Sequence, residues 1–204
     1  MWSYRTAGIP DADFVQSDKV PGPTKEEIRV VTISKARLCE GSYVIDVGCG
    51  TGGLTVEAAL QVTQKGRVFA LDDNAEAIRL TKSNVTKFQV QNIVETIFGK
   101  APDTMLQLPK IDAVIIGGSA SLPKVIQTAY HKLKNDGRLV VNAILLETAV
   151  KALDEIKKLN FKDLDVAQIF VAKGRQLPSG TMMLARNPIT IISATKTEVK
   201  KVAR

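Results

Sequence analysis

A glycine-rich turn between a short apolar strand and a helix is the feature that most constrains this chain. The segment reads Val44-Ile-Asp-Val-Gly-Cys-Gly-Thr-Gly-Gly-Leu-Thr55. Glycine allows a tight turn and lets bare backbone N–H groups approach a ligand at the start of a helix. The order of strand, turn and helix therefore predicts an α/β fold with a ligand at this turn.

Composition limits the class of protein. The chain has 204 residues, which fits one domain over residues 1–204, and a net charge of +7 with 24% charged residues. A basic balance suits nucleic acid, an acidic membrane surface or a polyanionic small substrate, and it also simply favours solubility. The lysines are scattered except in a basic tail at residues 196–204. Residues 1–23 are rich in proline and glycine and predict an extended lead-in.

Few residues here are suited to metal or thiol chemistry. Cys39, Cys49 and the single His131 form no zinc-ligand pattern, so we expect no metal site. Cys49 is expected to fill space in the turn rather than act as a nucleophile. No signal peptide and no run of about 18 apolar residues is present, so we predict a cytoplasmic protein outside the membrane.

Strands and helices are predicted to alternate through most of the chain. The first helix is expected to be capped by Thr24 and to end near Arg37, and Asp136-Gly137 begins a turn into the fifth strand. The predicted strands span residues 42–48, 67–72, 92–99, 111–117 and 138–144, and the later helices span residues 54–64, 75–88, 122–133 and 148–159. Residues 164–173 and 182–193 are then expected to form an antiparallel hairpin at one edge. This pattern predicts a doubly wound, mostly parallel sheet.

The glycine turn alone does not identify its ligand. Residues 48–53 match the dinucleotide pattern, and Asp72, at the end of the second strand, suits the ribose of any nucleoside ligand. Alternatively, Asp72 and Asp73 merely cap the next helix. Asp46 two residues before Gly48, the lack of a basic residue for a diphosphate and the terminal hairpin favour S-adenosylmethionine. These features predict a class I, Rossmann-like methyltransferase with a seven-stranded sheet, in which backbone near Ala101 passes the adenine.

The end of the fourth strand bears on the methyl acceptor. Adenine-N6 methyltransferases carry a proline pair and an aromatic residue there, whereas this chain has Gly117, Gly118 and Ser119. Aromatic residues make up 5% of the chain and form no stacking platform, so nucleic acid is not the expected partner. The two glycines either leave space for a bulky, flat acceptor or form only a turn.

Several segments together resemble one family. They are Ile9-Pro-Asp-Ala-Asp-Phe14, Val20-Pro-Gly-Pro-Thr24, Val47-Gly-Cys-Gly-Thr-Gly-Gly53, Ile116-Gly-Gly-Ser119, Ala143-Ile-Leu-Leu-Glu-Thr148 and Gly180-Thr-Met-Met183. From about residue 8 to residue 193 the chain looks like the CbiT family, the decarboxylating cobalt-precorrin-6B methyltransferases of the anaerobic cobalamin pathway. The resemblance implies methylation at carbon 15 of a tetrapyrrole with loss of carbon dioxide from the ring C acetate.

The resemblance also implies a donor site. Its residues are Thr24, Gly48, Cys49, Gly50, Thr51, Gly52, Asp72 and Ala101, to which the glycine pattern adds Asp46. The chain departs from the family at Lys100, where an acidic residue is usual beside the adenine, and at Asn142, where a threonine is usual. The contact to the adenine amino group is therefore in question.

A carboxylate-rich tetrapyrrole gives the net positive charge a purpose. Arg29, Lys173 and Arg175 are candidates for substrate carboxylates, and Glu147 for orienting a donor or an arginine. Each is also readily explained as an ordinary surface residue or helix cap. No catalytic acid or base is assigned. The resemblance implies a homo-oligomer, a tetramer in related proteins, with the terminal hairpin as contact.

Two further questions stay open from the sequence. The chain could instead methylate RNA or protein on the same fold, or bind the donor without catalysis, as Lys100 allows. The resemblance also leaves open whether the pigment carries cobalt and whether a separate carbon-5 methyltransferase is a partner.

Overall fold

A computed structural model describes residues 2, 4 and 6–197. The strands are β1 (Tyr43–Val47), β2 (Arg67–Asp72), β3 (Val94–Phe98), β4 (Ile111–Ile116), β5 (Leu133–Ala143), β6 (Lys162–Ile169), β7 (Ala172–Leu177), β8 (Gly180–Ala185) and β9 (Ile189–Thr195). The helices are α1 (Glu26–Ala36), α2 (Gly53–Val62), α3 (Ala75–Lys87), α4 (Leu122–Lys132) and α5 (Leu146–Lys158). Most of the basic tail predicted at residues 196–204 lies outside the described residues.

The main sheet has seven strands in the order β3-β2-β1-β4-β5-β9-β6. Neighbours among β1 to β5 pair in parallel, whereas β9 runs antiparallel to both β5 and β6. This confirms the predicted fold class. The antiparallel strand is not at the edge, however, because β6 lies outside it.

The sheet is covered on both faces, which explains its apolar central strands. Val114, Ile115 and Ile116 of β4 are buried, as expected for a central parallel strand. One core joins the sheet to α1, α2 and α3, and a second joins its other face to α4 and α5. The carboxyl ends of the parallel strands lie at one edge of this layered domain, and the loops that follow them form the cavity described below.

The end of the chain forms four strands, so the expected single hairpin of residues 164–173 and 182–193 is wrong in detail. β6 and β9 pair with each other in the main sheet, while β7 and β8 form a separate two-stranded ribbon between them. Asn187-Pro188, expected inside the last strand, lies in the loop between β8 and β9. Proline has no backbone N–H to donate to a strand pair, which favours a break there.

The N-terminal segment is more than an extended lead-in, because it packs on the domain. It forms a 3₁₀ turn at Asp11–Asp13 and buries Ile9 and Phe14. The side chain of Asn84 on α3 donates to the carbonyls of Val15 and Thr51, at 2.9 and 2.8 Å. The segment is thereby joined to the glycine turn.

The first helix begins one residue later than predicted. Lys25 is its N-cap residue, but the Lys25 side chain makes no capping hydrogen bond. Asp11 instead accepts a hydrogen bond from the Glu26 N–H through Oδ1, at 2.9 Å. Thr24 contributes its carbonyl, which accepts from the Arg29 guanidinium.

A buried ion-pair network around Arg29 joins the N-terminal segment to α1 and α2. Arg29 is fully buried, and its Nε donates to Glu57 Oε1 at 2.8 Å while its Nη1 donates to Asp11 Oδ1 at 2.7 Å. It also donates to the carbonyl of Ile9, and the Glu57 carboxylate accepts from the N–H groups of Gly8 and Ile9. Burial raises the pKa of Glu57, and Arg29 opposes that rise.

We predict that Arg29→Met lowers the free energy of unfolding by about 3–5 kcal/mol, because it leaves Glu57 buried without its partner. Denaturant unfolding followed by circular dichroism measures the change. Arg79→Met, at an exposed position of α3, is the matched control and should change stability little, because a surface ion pair contributes little. A loss below about 1 kcal/mol for Arg29→Met would contradict the structural role.

Candidate functional site

A cavity of about 890 Å³ lies at the carboxyl ends of β1, β2, β4 and β5. The glycine turn forms its floor, and residues 20–25 before α1 form one wall. The loops after β3 and β4 and residues 185–187 after β8 complete it. This is the position at which open α/β sheets bind ligands.

The glycine turn is folded as only glycine allows. Gly48, at the end of β1, has a φ of +73°, and its N–H donates to the Leu71 carbonyl at 2.8 Å. A Cβ at Gly48 would lie 2.6 Å from the carbonyl oxygen of Gly118. The loops after β1 and β4 can therefore approach closely because residue 48 has no side chain.

Asp72 is tied to the glycine turn as well as to the start of α3. Its Oδ2 accepts from the Gly50 N–H and its Oδ1 from the Asn74 N–H, each at 2.9 Å. The capping of α3 falls mainly to Asn74, whose side chain accepts from the N–H groups of Glu76 and Ala77. Asp72 therefore does more than cap a helix, since it holds Gly50 in place at the cavity.

Asp46 and Cys49 are buried beside the cavity. The Asp46 Oδ2 accepts from Thr55 Oγ1 at 2.6 Å, and burial raises the pKa of this carboxyl to about 6, with the charge of Asp72 adding to the rise. Burial also raises the pKa of the Cys49 thiol. Cys49 is therefore protonated at neutral pH, as suits a residue that fills space rather than a nucleophile.

Three buried polar atoms among the cavity-lining residues make no hydrogen bond within the described part of the chain. They are Asp46 Oδ1, Thr51 Oγ1 and Asn142 Nδ2. Buried polar groups normally have partners, because leaving one unpaired is unfavourable. Their presence together shows that the cavity is suited to a polar ligand.

Most of the predicted donor and acceptor residues line this cavity. They are Thr24, Asp46, Gly48, Cys49, Gly50, Thr51, Asp72, Ala101, Gly117, Gly118 and Ser119. Gly52 does not line it, since it lies at the N-cap of α2 against Thr81. Lys100, the noted departure, does line it.

The residues predicted to contact substrate carboxylates are not among those that line the cavity. Arg29 is buried and bonded to protein oxygens, because its position on α1 faces the core. Lys173 pairs with Glu26 and Glu27, and Arg175 is exposed on the ribbon. Glu147 is exposed in the first turn of α5, away from the cavity lining.

Sequence reasoning missed Lys25, Arg186 and Asn187, which do line the cavity. Arg186 follows the ribbon, and the fold returns it to α1, where its Nη1 lies 3.2 Å from Glu27 Oε2. No local sequence pattern indicates the position of Arg186 at the cavity, because the residues that it contacts there are distant in the chain. Asn187-Pro188 was the available signal, since it marks a break in the strand.

Comparison with known proteins bears on this cavity. The precorrin methyltransferase domain family matches residues 15–196. The chain belongs to this family. It is 45% identical, over 94% of its length and 99% of the relative, to a protein of Sulfurisphaera tokodaii named "Probable cobalt-precorrin-6B C(15)-methyltransferase (decarboxylating)". The family predicted from the sequence is thereby confirmed.

Two solved structures whose names refer to precorrins share the fold over nearly their whole length. A precorrin 8W decarboxylase of Methanobacterium thermoautotrophicum has a TM-score of 0.87 and 39% identity, covering 91% of this chain and 98% of that one. A precorrin-6y C5,15-methyltransferase of Geobacter metallireducens has a TM-score of 0.86 and 34% identity, covering 93% and 98%. The cavity is thus built on the scaffold that these proteins share.

The described residues contain neither a metal-binding cluster nor a helix that could span a membrane. No cluster of three or more histidine, cysteine, aspartate or glutamate side chains is arranged there to hold a metal ion. No helix among the same residues combines the length and the apolar character that crossing a bilayer requires.

We predict that Asp46 makes stability depend on pH. Its folded-state pKa is raised from 3.8 to about 6, so the folded protein binds this proton more tightly than the unfolded chain does. The stability of the wild type relative to Asp46→Asn should therefore fall by roughly 2–3 kcal/mol as pH rises from about 4 to about 6, and then level off. Denaturant unfolding of both proteins across this range measures the difference, and parallel curves would contradict it.

Proposed function

We propose that this chain transfers a methyl group from S-adenosylmethionine to carbon 15 of cobalt-precorrin-6B, with loss of the ring C acetate carboxyl as carbon dioxide. The observation that carries the proposal is the near-full-length match to relatives of that name, 45% identical over 94% of this chain. A nucleoside-type cradle beside an open acceptor space in one cavity supports it.

The donor half of the cavity fits S-adenosylmethionine in its polar groups. The glycine turn offers backbone N–H groups, and Asp72 retains lone pairs for ribose hydroxyls. Asp46 and Thr51 line this half of the cavity, and their buried Oδ1 and Oγ1 atoms have no hydrogen-bond partner among the described residues. Backbone at Ala101 would flank the adenine, and Lys100 beside it replaces the usual acidic contact. When bound, the cofactor supplies an electrophilic methyl group on a sulfonium.

The acceptor half would hold the macrocycle against the loops after β4 and β5. A Cβ at Gly118 would meet no heavy atom within 4 Å, so this loop leaves open space. Ile144, which lines the cavity and is 60% exposed, offers an apolar surface to a flat ring. The residues then act by alignment, because transfer between fixed partners needs the reacting atoms in line.

The two alternatives have weaker support. An RNA or protein methyltransferase finds support only in the net charge of +7. A donor-binding protein without catalysis finds support only in Lys100, and the backbone at Ala101 still lines the cavity. The cytoplasmic location stays a prediction.

We predict that the purified protein, incubated with S-adenosylmethionine and cobalt-precorrin-6B, adds one methyl group to the tetrapyrrole and removes one carbon dioxide. Mass spectrometry of the pigment measures both changes. An unchanged pigment, with donor binding shown by calorimetry, would contradict the proposed substrate. A methylated pigment that keeps its carboxyl would contradict the decarboxylation.

Two glycine variants provide the control for this experiment. Gly48→Ala should abolish turnover and weaken donor binding by about tenfold or more, because φ is +73° and the new Cβ would meet the Gly118 carbonyl. Gly118→Ala adds the same methyl group in open space of the same cavity and should bind the donor as the wild type does. Equal donor affinity in both variants would argue against the glycine turn as the donor site.

We also propose that the chain assembles as a homo-oligomer, with a tetramer as expected from the family, through the β7–β8 ribbon. Both strands of the ribbon are largely exposed, and Met182, Met183 and Leu184 present apolar side chains. A two-stranded ribbon alone is marginally stable, so a second copy packed on it would stabilise it.

Sedimentation velocity should therefore show a species several times heavier than 22.1 kDa. Met183→Glu should shift it toward smaller species, because a charge would be buried in the contact. Lys124→Glu, at an exposed position of α4, is the control for a new negative charge. A monomeric wild type would contradict the assembly.

A further inference from the structure

The charged residues of the cavity are unevenly distributed. Asp46, Asp72 and Asp73 lie at the ends of β1 and β2, on the side proposed for the donor. Arg186 after β8 and Lys25 before α1 also line the cavity, and both pair with Asp11 Oδ2, at 3.6 and 3.8 Å. Apart from Lys100 beside the adenine position, the cations that line the cavity in the described part of the chain are therefore grouped around Asp11. This distribution suits a cationic donor and an anionic acceptor.

The guanidinium of Arg186 is held along one edge only. Its Nη1 lies 3.2 Å from Glu27 Oε2 and 3.6 Å from Asp11 Oδ2, and its backbone N–H donates to the Val171 carbonyl at 2.9 Å. Within the part of the chain that the structure describes, Nε and Nη2 make no hydrogen bond, and Nη1 is the side-chain donor of Arg186. These two nitrogens form the side-on edge of a guanidinium, and that edge matches the two oxygens of a carboxylate.

Several charges fix Arg186 in place. Glu27 also accepts from Lys173 at 2.7 Å, and Asp11 also pairs with Arg29 and Lys25. Burial raises the pKa of Glu27, but Lys173 and Arg186 together lower it by more than burial raises it. The pKa is therefore below its ordinary value, and the carboxylate stays ionised. An arginine held in this way loses less side-chain freedom on binding a ligand, which favours affinity.

We propose that the Nε–Nη2 edge of Arg186 binds one peripheral carboxylate of the tetrapyrrole. This inference rests on the proposed function, since it names the group that the acceptor presents to Arg186. Lys25, exposed at the same cavity, adds positive charge to the approach. Arg186 is a substrate-binding residue in this proposal and takes no part in methyl transfer.

The test compares Arg186→Gln with wild type in the tetrapyrrole assay described above. Loss of a bidentate, charge-assisted contact should raise KM for cobalt-precorrin-6B by about tenfold or more. The kcat and the calorimetric Kd for S-adenosylmethionine should stay within about twofold of wild type. Arg186→Lys keeps the charge but lacks the fork, so its KM should fall between the two. Arg79→Gln makes the same change at an exposed position of α3, outside the cavity lining and the ribbon, and should behave as wild type.

Glu27→Gln separates binding from structure. It removes the ion pair with Arg186 Nη1 but leaves the Nε–Nη2 edge intact, so its KM should rise less than that of Arg186→Gln, at a similar loss of unfolding free energy. Equal KM values for these two variants would assign Arg186 a structural role and overturn the inference.

The outcomes also separate this inference from the proposed function. A wild type that leaves the pigment unchanged would overturn the proposed function, and the inference with it. A wild type that converts the pigment, together with an Arg186→Gln variant of unchanged KM, would overturn the inference alone. A changed donor Kd in Arg186→Gln would also overturn it, because Arg186 would then act through the donor half.

Discussion

The buried contact between Arg29 and Glu57 is the interaction on which the walls of the cavity depend. It holds the N-terminal segment against α1 and α2, and that segment continues into residues 20–24 at the donor half. Through Asp11 the same network reaches Arg186 at the acceptor half. A charge buried this deeply is unfavourable unless paired, so the segment can leave the domain only by exposing or breaking the pair. The two halves of the cavity thus share one anchor.

The chemistry that the cavity supports follows from its two contrasting halves. The donor half combines glycine backbone, two aspartates at strand ends and polar atoms that have no partner in the described residues. The acceptor half is open and apolar near Ile144, with arginine at its wall. A positively charged methyl donor and a flat polyanion would each meet the half that complements it. In this arrangement specificity comes from placing the two ligands side by side.

The parts of the fold that local sequence determines were predictable. β2 was predicted with its observed bounds, and β1 and β4 within a residue or two, because apolar runs between glycines mark buried strands. Asp46 and Asp72 then followed, since strand ends in a parallel sheet meet at one rim. The burial of Arg29 could not be predicted from the sequence, because a charged residue on an amphipathic helix normally indicates an exposed face. Arg186 was missed for a related reason. Its position depends on how the chain after the ribbon packs against α1, and no residue next to it in sequence indicates that packing. The split of the terminal hairpin was missed because only Pro188 marked it.

The place of β9 in the sheet has a consequence for how the protein is made. β9 is the last strand of the described residues, yet it lies between β5 and β6 rather than at an edge. During synthesis from the N-terminus, the edge of β5 that pairs with β9 stays unpaired until residues 189–195 have left the ribosome. Until then β6 also has no partner in the sheet. Such long-range pairing is slow, and the waiting edge can pair with other chains. The wall that carries Arg186 immediately precedes β9, so the acceptor half is completed only after residues 186–195 have been translated.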